Sequence, residues 1–119
     1  NAGLASINVP RDVRQTESQL KGLLSEQPES PHLNFSLGNL YMAESRWSEA
    51  QQAFFKAHVA DPANPDFLYN LAISLDHLHQ ARLAAQYYAR ALAAARTQRA
   101  SFDAARVEER MKTLQSEPK

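Results

Sequence analysis

Residues 31–64 read PHLNFSLGNLYMAESRWSEAQQAFFKAHVADPAN, and residues 65–98 read PDFLYNLAISLDHLHQARLAAQYYARALAAARTQ. Both segments have the same length and align without gaps, which gives the sequence a 34-residue period. An internal repeat of this length indicates helical units that stack, because each unit alone leaves one apolar face uncovered. Small or apolar residues recur at matching places: Leu37 and Leu71, Gly38 and Ala72, Ala50 and Ala84, Phe54 and Tyr88, Ala57 and Ala91.

Proline and capping residues divide each repeat into a pair of helices. Ser30-Pro31 and Asn64-Pro65 each place a cap residue before a proline at the first helical position. The pattern predicts helices at about 11–27, 31–43, 46–60, 65–78, 80–97 and 101–115. Ser101 is expected to open the last helix. Neither proline nor glycine separates the last two helices, so the sequence leaves open whether they form one long helix.

The first repeat resembles the tetratricopeptide-repeat (TPR) signature at its expected offsets: Leu37, Gly38, Tyr41, Ala50, Phe54, Ala57 and Pro62. Both repeats lack the opening tryptophan of that signature: Asn34 stands there in the first repeat and Leu68 in the second. In the second repeat Leu75 replaces the aromatic residue and Arg96 the closing proline. The resemblance implies an all-α fold, an antiparallel helix-pair solenoid in which Gly38 and Ala72 let neighbouring helices approach closely.

The expected domain covers residues 11–117. It consists of a partial-repeat helix at 11–27, repeat 1 at 31–64, repeat 2 at 65–98 and a capping helix at 101–115. Residues 1–10 are expected to be a disordered or artificial lead. The chain begins with Asn1 rather than methionine, which favours a processed or partial chain.

The resemblance also implies where a partner would bind, because in TPR arrays the first helix of each repeat lines a concave groove. The residues at groove positions are predicted to bind the partner: Phe35, Asn39, Met42, Tyr69, Asn70, Ile73 and Asp76. His32 and Asp66 hold similar positions, and the capping helix would add Asp103, Val107 and Arg110.

Asn39 and Asn70 coincide with the pair that grips the ligand backbone in peptide-binding members of the family. An amide side chain suits this role because it offers both a donor and an acceptor to one peptide unit. The alternative is that both asparagines are ordinary polar residues on exposed helix surfaces.

Cations that other TPR proteins use to hold a terminal carboxylate are missing. Phe35, Ala100 and Ala104 stand where that clamp has lysine or arginine. Because a carboxylate is held mainly by charge-assisted hydrogen bonds, we expect no binding to the acidic C-terminal tails of chaperones.

Other chemistries find little support, so we expect no enzyme activity, cofactor or metal. Cysteine is absent, and His77 and His79 would point to opposite sides of a helix. The sequence has no glycine-rich phosphate loop and no nucleophile elbow. Trp47 and His58 are interpreted as packing residues, His58 as a partly exposed one.

Charge and hydropathy exclude two further partners. Arg82, Arg90, Arg96 and Arg99 form a basic stretch, but the isoelectric point of about 7.1 argues against nucleic acid. No apolar run of about 18 residues occurs, so no membrane contact is expected.

The charge is unevenly distributed along the chain. Up to His77 the chain has nine acidic and five basic residues, a net charge of −4, and from Leu78 the net charge is +4. This separation would steer a charged partner or favour head-to-tail stacking, or it reflects ordinary solvated surfaces.

The predicted function is a protein–protein interaction module that binds a peptide or helix of a partner in its groove, as part of a larger assembly. The alternative is a structural stacking or dimerisation element, which leaves a weak homodimer open. Residues 70–78 and 100–103 also resemble TPR domains of Gram-negative pilus-biogenesis proteins of the mannose-sensitive haemagglutinin type. That resemblance implies a pilus or secretion assembly and a periplasmic domain behind an upstream membrane anchor, with a cytoplasmic protein as the alternative.

Overall fold

The computed structural model describes residues 2–116, and these form six α-helices and no strand. Consecutive helices pack against each other along the whole series. Loops of three or four residues join the first five helices, and residues 95–103 join α5 to α6, so that each helix runs back along the one before it. This confirms the predicted all-α helix-pair solenoid. The helices are α1 (Ala2–Glu26), α2 (Pro31–Ala43), α3 (Trp47–Ala60), α4 (Pro65–His77), α5 (Ala81–Ala94) and α6 (Ala104–Ser116).

The turn within each repeat has the same backbone geometry. Ser45 has a φ of 59°, and the amides of Ser45 and Arg46 donate to the carbonyls of Met42 (2.9 Å) and Tyr41 (2.8 Å). These two bonds define a Schellman motif, which ends a helix through a residue in the left-handed conformation. His79, at the matching position of the second repeat, has a φ of 62°, and its turn has the same pair of bonds.

Side-chain caps begin α2 and α4 as the sequence predicts. The Ser30 hydroxyl accepts a bond of 3.2 Å from the amide of Leu33. The Asn64 side-chain carbonyl accepts from the amides of Asp66 (3.0 Å) and Phe67 (3.3 Å). Each cap satisfies amide donors that the first helical turn would otherwise leave unpaired.

The matching repeat positions form the core. Phe54 is completely buried, and a Cβ atom added to Gly38 would lie 2.5 Å from two carbons of its ring. The close approach of α2 to α3 therefore depends on glycine at position 38. The other paired positions are also buried: Leu37, Tyr41, Ala50 and Ala57 in the first repeat, and Leu71, Ala72, Leu75, Ala84, Tyr88 and Ala91 in the second.

Asn34 replaces the expected tryptophan without leaving a polar group unsatisfied. It is only 3% exposed, and its amide nitrogen donates to the carbonyls of Pro28 (3.2 Å) and Ser30 (3.0 Å). A buried amide is tolerated when its hydrogen bonds are made. Asn34 thus ties α2 to the loop that follows α1.

A polar cluster joins α1 to the first repeat. The Glu17 carboxylate accepts from Arg46 at 2.9 Å, from the Tyr41 hydroxyl at 3.2 Å, and pairs with Lys21 at 2.9 Å. The hydrogen bond from Arg46, and to a smaller extent the one from Lys21, lowers the pKa of Glu17 to about 2. The Arg46 guanidinium also lies 4.5 Å from the centre of the Tyr41 ring, which adds a cation–π contact.

Helix α1 is longer than expected. It begins at Ala2 and continues through Pro10, into the segment expected to be a separate lead. A proline inside a helix removes one intrahelical bond rather than all of them, and the residues before it include good helix formers such as Ala2, Leu4 and Ala5. Asn1 of the expected lead and residue 117 of the expected domain lie outside the described residues. None of the described helices is both long and apolar enough to cross a bilayer.

The structure separates α5 from α6 and moves the start of α6. Residue 101 does not open the helix, because the Ser101 amide and hydroxyl donate to the Asp66 carboxylate at 2.8 and 3.0 Å. Instead Asp103 accepts from the amide of Ala105 at 3.0 Å and caps α6. Helix α6 begins at Ala104, and its offset from the start of α4 at Pro65 is therefore longer than the repeat period.

Candidate functional site

Helices α2 and α4, the first helix of each repeat, lie side by side. The rings of Phe35 and Phe67 are 4.8 Å apart at an angle of 41°, and a hydrogen bond joins Asn70 to Asn39. On α2 the predicted partner-binding residues are three or four positions apart, and on α4 Ile73 follows the adjacent Tyr69 and Asn70 by four and three positions, so that they share one side of each helix. We call this surface the α2–α4 face; its members are Phe35, Asn39, Met42, Tyr69, Asn70 and Ile73.

The two asparagines at the centre of this face bind each other. The side-chain nitrogen of Asn70 donates to the side-chain oxygen of Asn39 at 2.9 Å, across 31 residues of sequence. This bond leaves the nitrogen of Asn39 and the oxygen of Asn70 without a partner among the described residues. Neither atom is fully buried, since His58 Nδ1 is the only buried side-chain N or O atom there that lacks a partner. The pair therefore keeps an amide NH2 group and an amide oxygen that are available to a further partner.

Sequence reasoning selected both asparagines but missed their contact. Their separation of 31 residues, three fewer than the 34-residue period, could have predicted the contact. Three residues are close to one helical turn, so residues with this separation face each other across two adjacent, equivalent helices.

The apolar members of the face are anchored in the core and keep part of their surface exposed. The Phe35 ring packs 5.7 Å from the Phe54 ring. Tyr69 stacks on Phe102 with ring centres 4.7 Å apart, so the loop before α6 supports this end of the face. Met42 and Ile73 also pack against the core. The face thus offers aromatic and aliphatic surface on both sides of the asparagine pair.

Asp76, also predicted to bind a partner, has its carboxylate occupied within the chain. It accepts from Arg110 at 2.8 and 2.7 Å and from the Tyr88 hydroxyl at 2.9 Å. Burial alone would raise the pKa of Asp76, but the hydrogen bonds from Arg110 and Tyr88 lower it, and the net pKa lies below its ordinary value. Asp76 therefore joins α4 to α5 and α6 at the edge of the face.

The capping-helix residues do not extend the face as the repeat phase suggested. Val107 is 3% exposed and belongs to the core, because α6 starts later than the repeat period requires. Asp103 caps its own helix, and Arg110 binds Asp76. His32, by contrast, remains exposed on α2, where its ring meets the edge of Phe67 at 6.5 Å.

Three aromatic or imidazole groups considered from the sequence have structural contacts. Trp47 stacks on His77 with ring centres 3.7 Å apart and an angle of 2°. His58 is 6% exposed and so more buried than expected; Arg90 donates to its Nε2 at 3.3 Å. Burial, and to a smaller extent the charge of Arg90, lowers the pKa of His58.

In the part of the chain that the structure describes, no three His, Asp or Glu side chains form a group that could hold a metal ion.

Several solved structures share this arrangement of helices. The type III secretion translocator chaperone SycD of Yersinia enterocolitica has a TM-score of 0.77 at 14% identity, over 91% of this chain and 75% of that one. The Sgt2 TPR domain of Aspergillus fumigatus has a TM-score of 0.74 at 16% identity, over 93% of this chain and 71% of that one. MamA of AMB-1 has a TM-score of 0.74 at 19% identity, over 95% of this chain and 58% of that one.

At these identities the likeness concerns the fold. No protein-family model matches the sequence, and no curated protein matches it either. The repeat in the sequence, the order of the helices and the similarity to a solved TPR domain agree with one another. The chain has the tetratricopeptide-repeat fold.

Proposed function

We propose that this chain is a protein–protein interaction module that holds a segment of a partner protein on the α2–α4 face, without catalysing a reaction. The observation that carries this proposal is the Asn39–Asn70 pair, whose mutual bond leaves the amide NH2 group of Asn39 and the amide oxygen of Asn70 without a partner among the described residues and not fully buried. A peptide unit needs one acceptor for its N–H and one donor for its C=O. The pair is therefore complementary to the backbone of a guest.

The same complementarity favours an extended guest over a helical one. In a helix the backbone N–H and C=O groups already bond to each other, so an asparagine pair would have nothing to satisfy. Each 13-residue helix is about 20 Å long, which an extended segment spans with about six residues. Phe35 and Met42 on α2, and Tyr69 and Ile73 on α4, would receive its side chains.

The structural neighbours support a role in a larger assembly. SycD is a chaperone of translocators in a type III secretion system, so one chain of this fold serves other proteins of a secretion apparatus. We extend this to the present chain as part of the proposal, with a pilus or secretion assembly as the context.

The test is a pull-down from lysate with the wild type and an Asn39→Ala/Asn70→Ala double variant. Gln52→Ala, an exposed substitution on α3, is the matched control, and circular dichroism establishes that all three proteins are equally folded. We expect the control to recover the same partners as the wild type and the double variant to lose them. Recovery of every partner by the double variant would end the proposal.

A second function, head-to-tail stacking of copies, is favoured by the open edge at α5 and α6. A groove of about 970 Å³ lies there, lined among others by Leu83, Ala85, Ala89 and Leu114, and Leu83 is 42% exposed. The positive C-terminal part of one copy would meet the negative N-terminal part of the next. Sedimentation velocity over a hundredfold range of concentration decides this: a mass that rises favours stacking, and a constant monomer mass rejects it.

A further inference from the structure

The α2–α4 face belongs to the two described helices that contain no lysine or arginine. Helix α2 contains no lysine, arginine, aspartate or glutamate, and α4 contains only Asp66 and Asp76, although 22% of all residues are charged. Each of the other described helices has lysine or arginine, for example Lys56 on α3 and Arg82 and Arg90 on α5. The lack of lysine and arginine is therefore particular to the two helices that carry the proposed binding surface.

The two carboxylates of α4 are both occupied by groups of the same chain. The oxygens of Asp66 accept from the amide and the hydroxyl of Ser101, one each. Those of Asp76 accept two bonds from Arg110 and one from Tyr88. Arg110, the cation that contacts α4, is in turn bound to Asp76. An anionic guest would therefore have to compete with Asp76 for Arg110, because α2 and α4 themselves contain no lysine or arginine.

We infer that the guest of this face is an uncharged segment from the interior of a partner chain, not an acidic tail or a terminal carboxylate. The inference depends on the proposed function, since it names the chemistry of the segment that the Asn39–Asn70 pair holds. An anion placed here would lose hydration without gaining a cation, which is costly. A neutral segment has no charge to desolvate, and the asparagine pair replaces the hydration of the peptide unit that it contacts.

The salt dependence of binding can be measured without knowing the natural partner. Association through opposite charges weakens as salt screens them, whereas burial of apolar surface does not depend on such screening. Binding to the α2–α4 face should therefore be nearly independent of sodium chloride concentration.

The experiment uses an array of eight-residue peptides of random sequence, each in two forms. One form is acetylated and amidated at its ends, and the other has a free C-terminal carboxylate. The strongest binders are then measured by isothermal titration calorimetry at one fixed pH, in 50 and in 500 mM sodium chloride. We expect capped, uncharged apolar peptides to bind, with a Kd that changes less than about threefold between the two salt concentrations.

Two variants test the roles of the asparagine pair and of the missing cation. Asn39→Ala/Asn70→Ala should abolish binding of the capped peptides. Met42→Lys places one cation on the face, and it should raise the affinity for acidic peptides at least tenfold and make that binding sensitive to salt, while circular dichroism stays unchanged. Gln52→Lys adds the same charge on α3 and should not have this effect.

The possible outcomes separate the two proposals. If binding needs the asparagines but also needs a free carboxylate or an acidic side chain, or falls more than tenfold in high salt, the inference is wrong and the proposed function stands. If binding survives the loss of both asparagines, the proposed function is wrong. If no peptide of either form binds, both are rejected.

Discussion

The Phe54 ring lies so close to Gly38 that a Cβ atom on residue 38 would be 2.5 Å from the ring carbons Cδ1 and Cε1. Phe54 is completely buried, so its ring cannot move away into solvent. In the second repeat Ala72 and Tyr88 occupy the same two positions, and there the hydroxyl of Tyr88 is held by Asp76. The two repeats thus solve the same packing problem with different pairs of residues.

We predict that Gly38→Ala destabilises the protein by about 1–2 kcal/mol. Overpacking of a core costs about 1–3 kcal/mol, and contacts of 2.5 Å place the cost here in the upper half of that range, about 2–3 kcal/mol. The higher helix propensity of alanine offsets about 1 kcal/mol of it. The control is Gly22→Ala on α1, where no atom lies within 4 Å of the added Cβ; it should stabilise by about 0.5–1 kcal/mol. Urea unfolding measures both, and a Gly38→Ala protein as stable as the wild type would contradict the packing argument.

Acid should weaken the attachment of α1 through Glu17. The pKa of Glu17 is lowered from 4.5 to about 2, so the folded state favours the carboxylate. Its contribution to stability is fully present above pH 4.5 and is lost as the pH falls towards 2. The free energy of unfolding of the wild type should therefore exceed that of Glu17→Gln at pH 7, and the difference should vanish near pH 2.

Glu26→Gln is the matched control for this pH profile. Glu26 is exposed on the same helix and takes part in no ion pair with the described residues. Its stability should follow that of the wild type between pH 7 and 2. A Glu17→Gln profile that runs parallel to the wild type over this range would show that the cluster does not stabilise the fold.

Asp76→Ala should destabilise by about 2–3 kcal/mol, because it removes an ion pair with Arg110 and leaves the buried hydroxyl of Tyr88 without its acceptor. Asp76→Asn keeps an acceptor for Tyr88 and should lose less. The comparison is Glu108→Ala, which removes an exposed ion pair to Lys112 at 3.8 Å and should change stability by less than about 0.5 kcal/mol. Thermal unfolding measures the order of stability of the three variants. Equal losses of stability for Asp76→Ala and Glu108→Ala would refute the prediction.

The left-handed turn residue predicts how position 79 responds to substitution. His79 is exposed and has a φ of 62°, a conformation that glycine adopts freely and a β-branched residue adopts at a cost. His79→Val should therefore be less stable than His79→Gly by about 1–2 kcal/mol. Chemical denaturation of the two variants side by side is sufficient, and equal stability would show that the turn relaxes.

The repeat was predictable because burial recurs with the sequence. Leu37, Gly38 and Phe54 have counterparts at the same places in the second repeat, and the capping signals at Ser30 and Asn64 are local. The start of α6 was not predictable from this period. It depends on tertiary contacts of an irregular loop, namely Ser101 with Asp66 and Phe102 with Tyr69, and such contacts leave no periodic trace.

The α2–α4 face was also predictable only in part. Its residues were selected from their positions within the repeat, whereas the bond between Asn39 and Asn70 and the occupation of Asp76 depend on side-chain conformation. The role of Asn39 and Asn70 in holding a partner stays a prediction that the double variant tests.

Tyr69 and Asn70 are consecutive residues, and each is tethered to a different neighbour: Tyr69 to the Phe102 ring and Asn70 to the Asn39 amide. The half-turn of α4 that carries them is therefore immobilised while the protein is still alone. Side chains that are already ordered surrender little rotational freedom on association. Preorganisation of this kind lets a small contact area produce a specific complex.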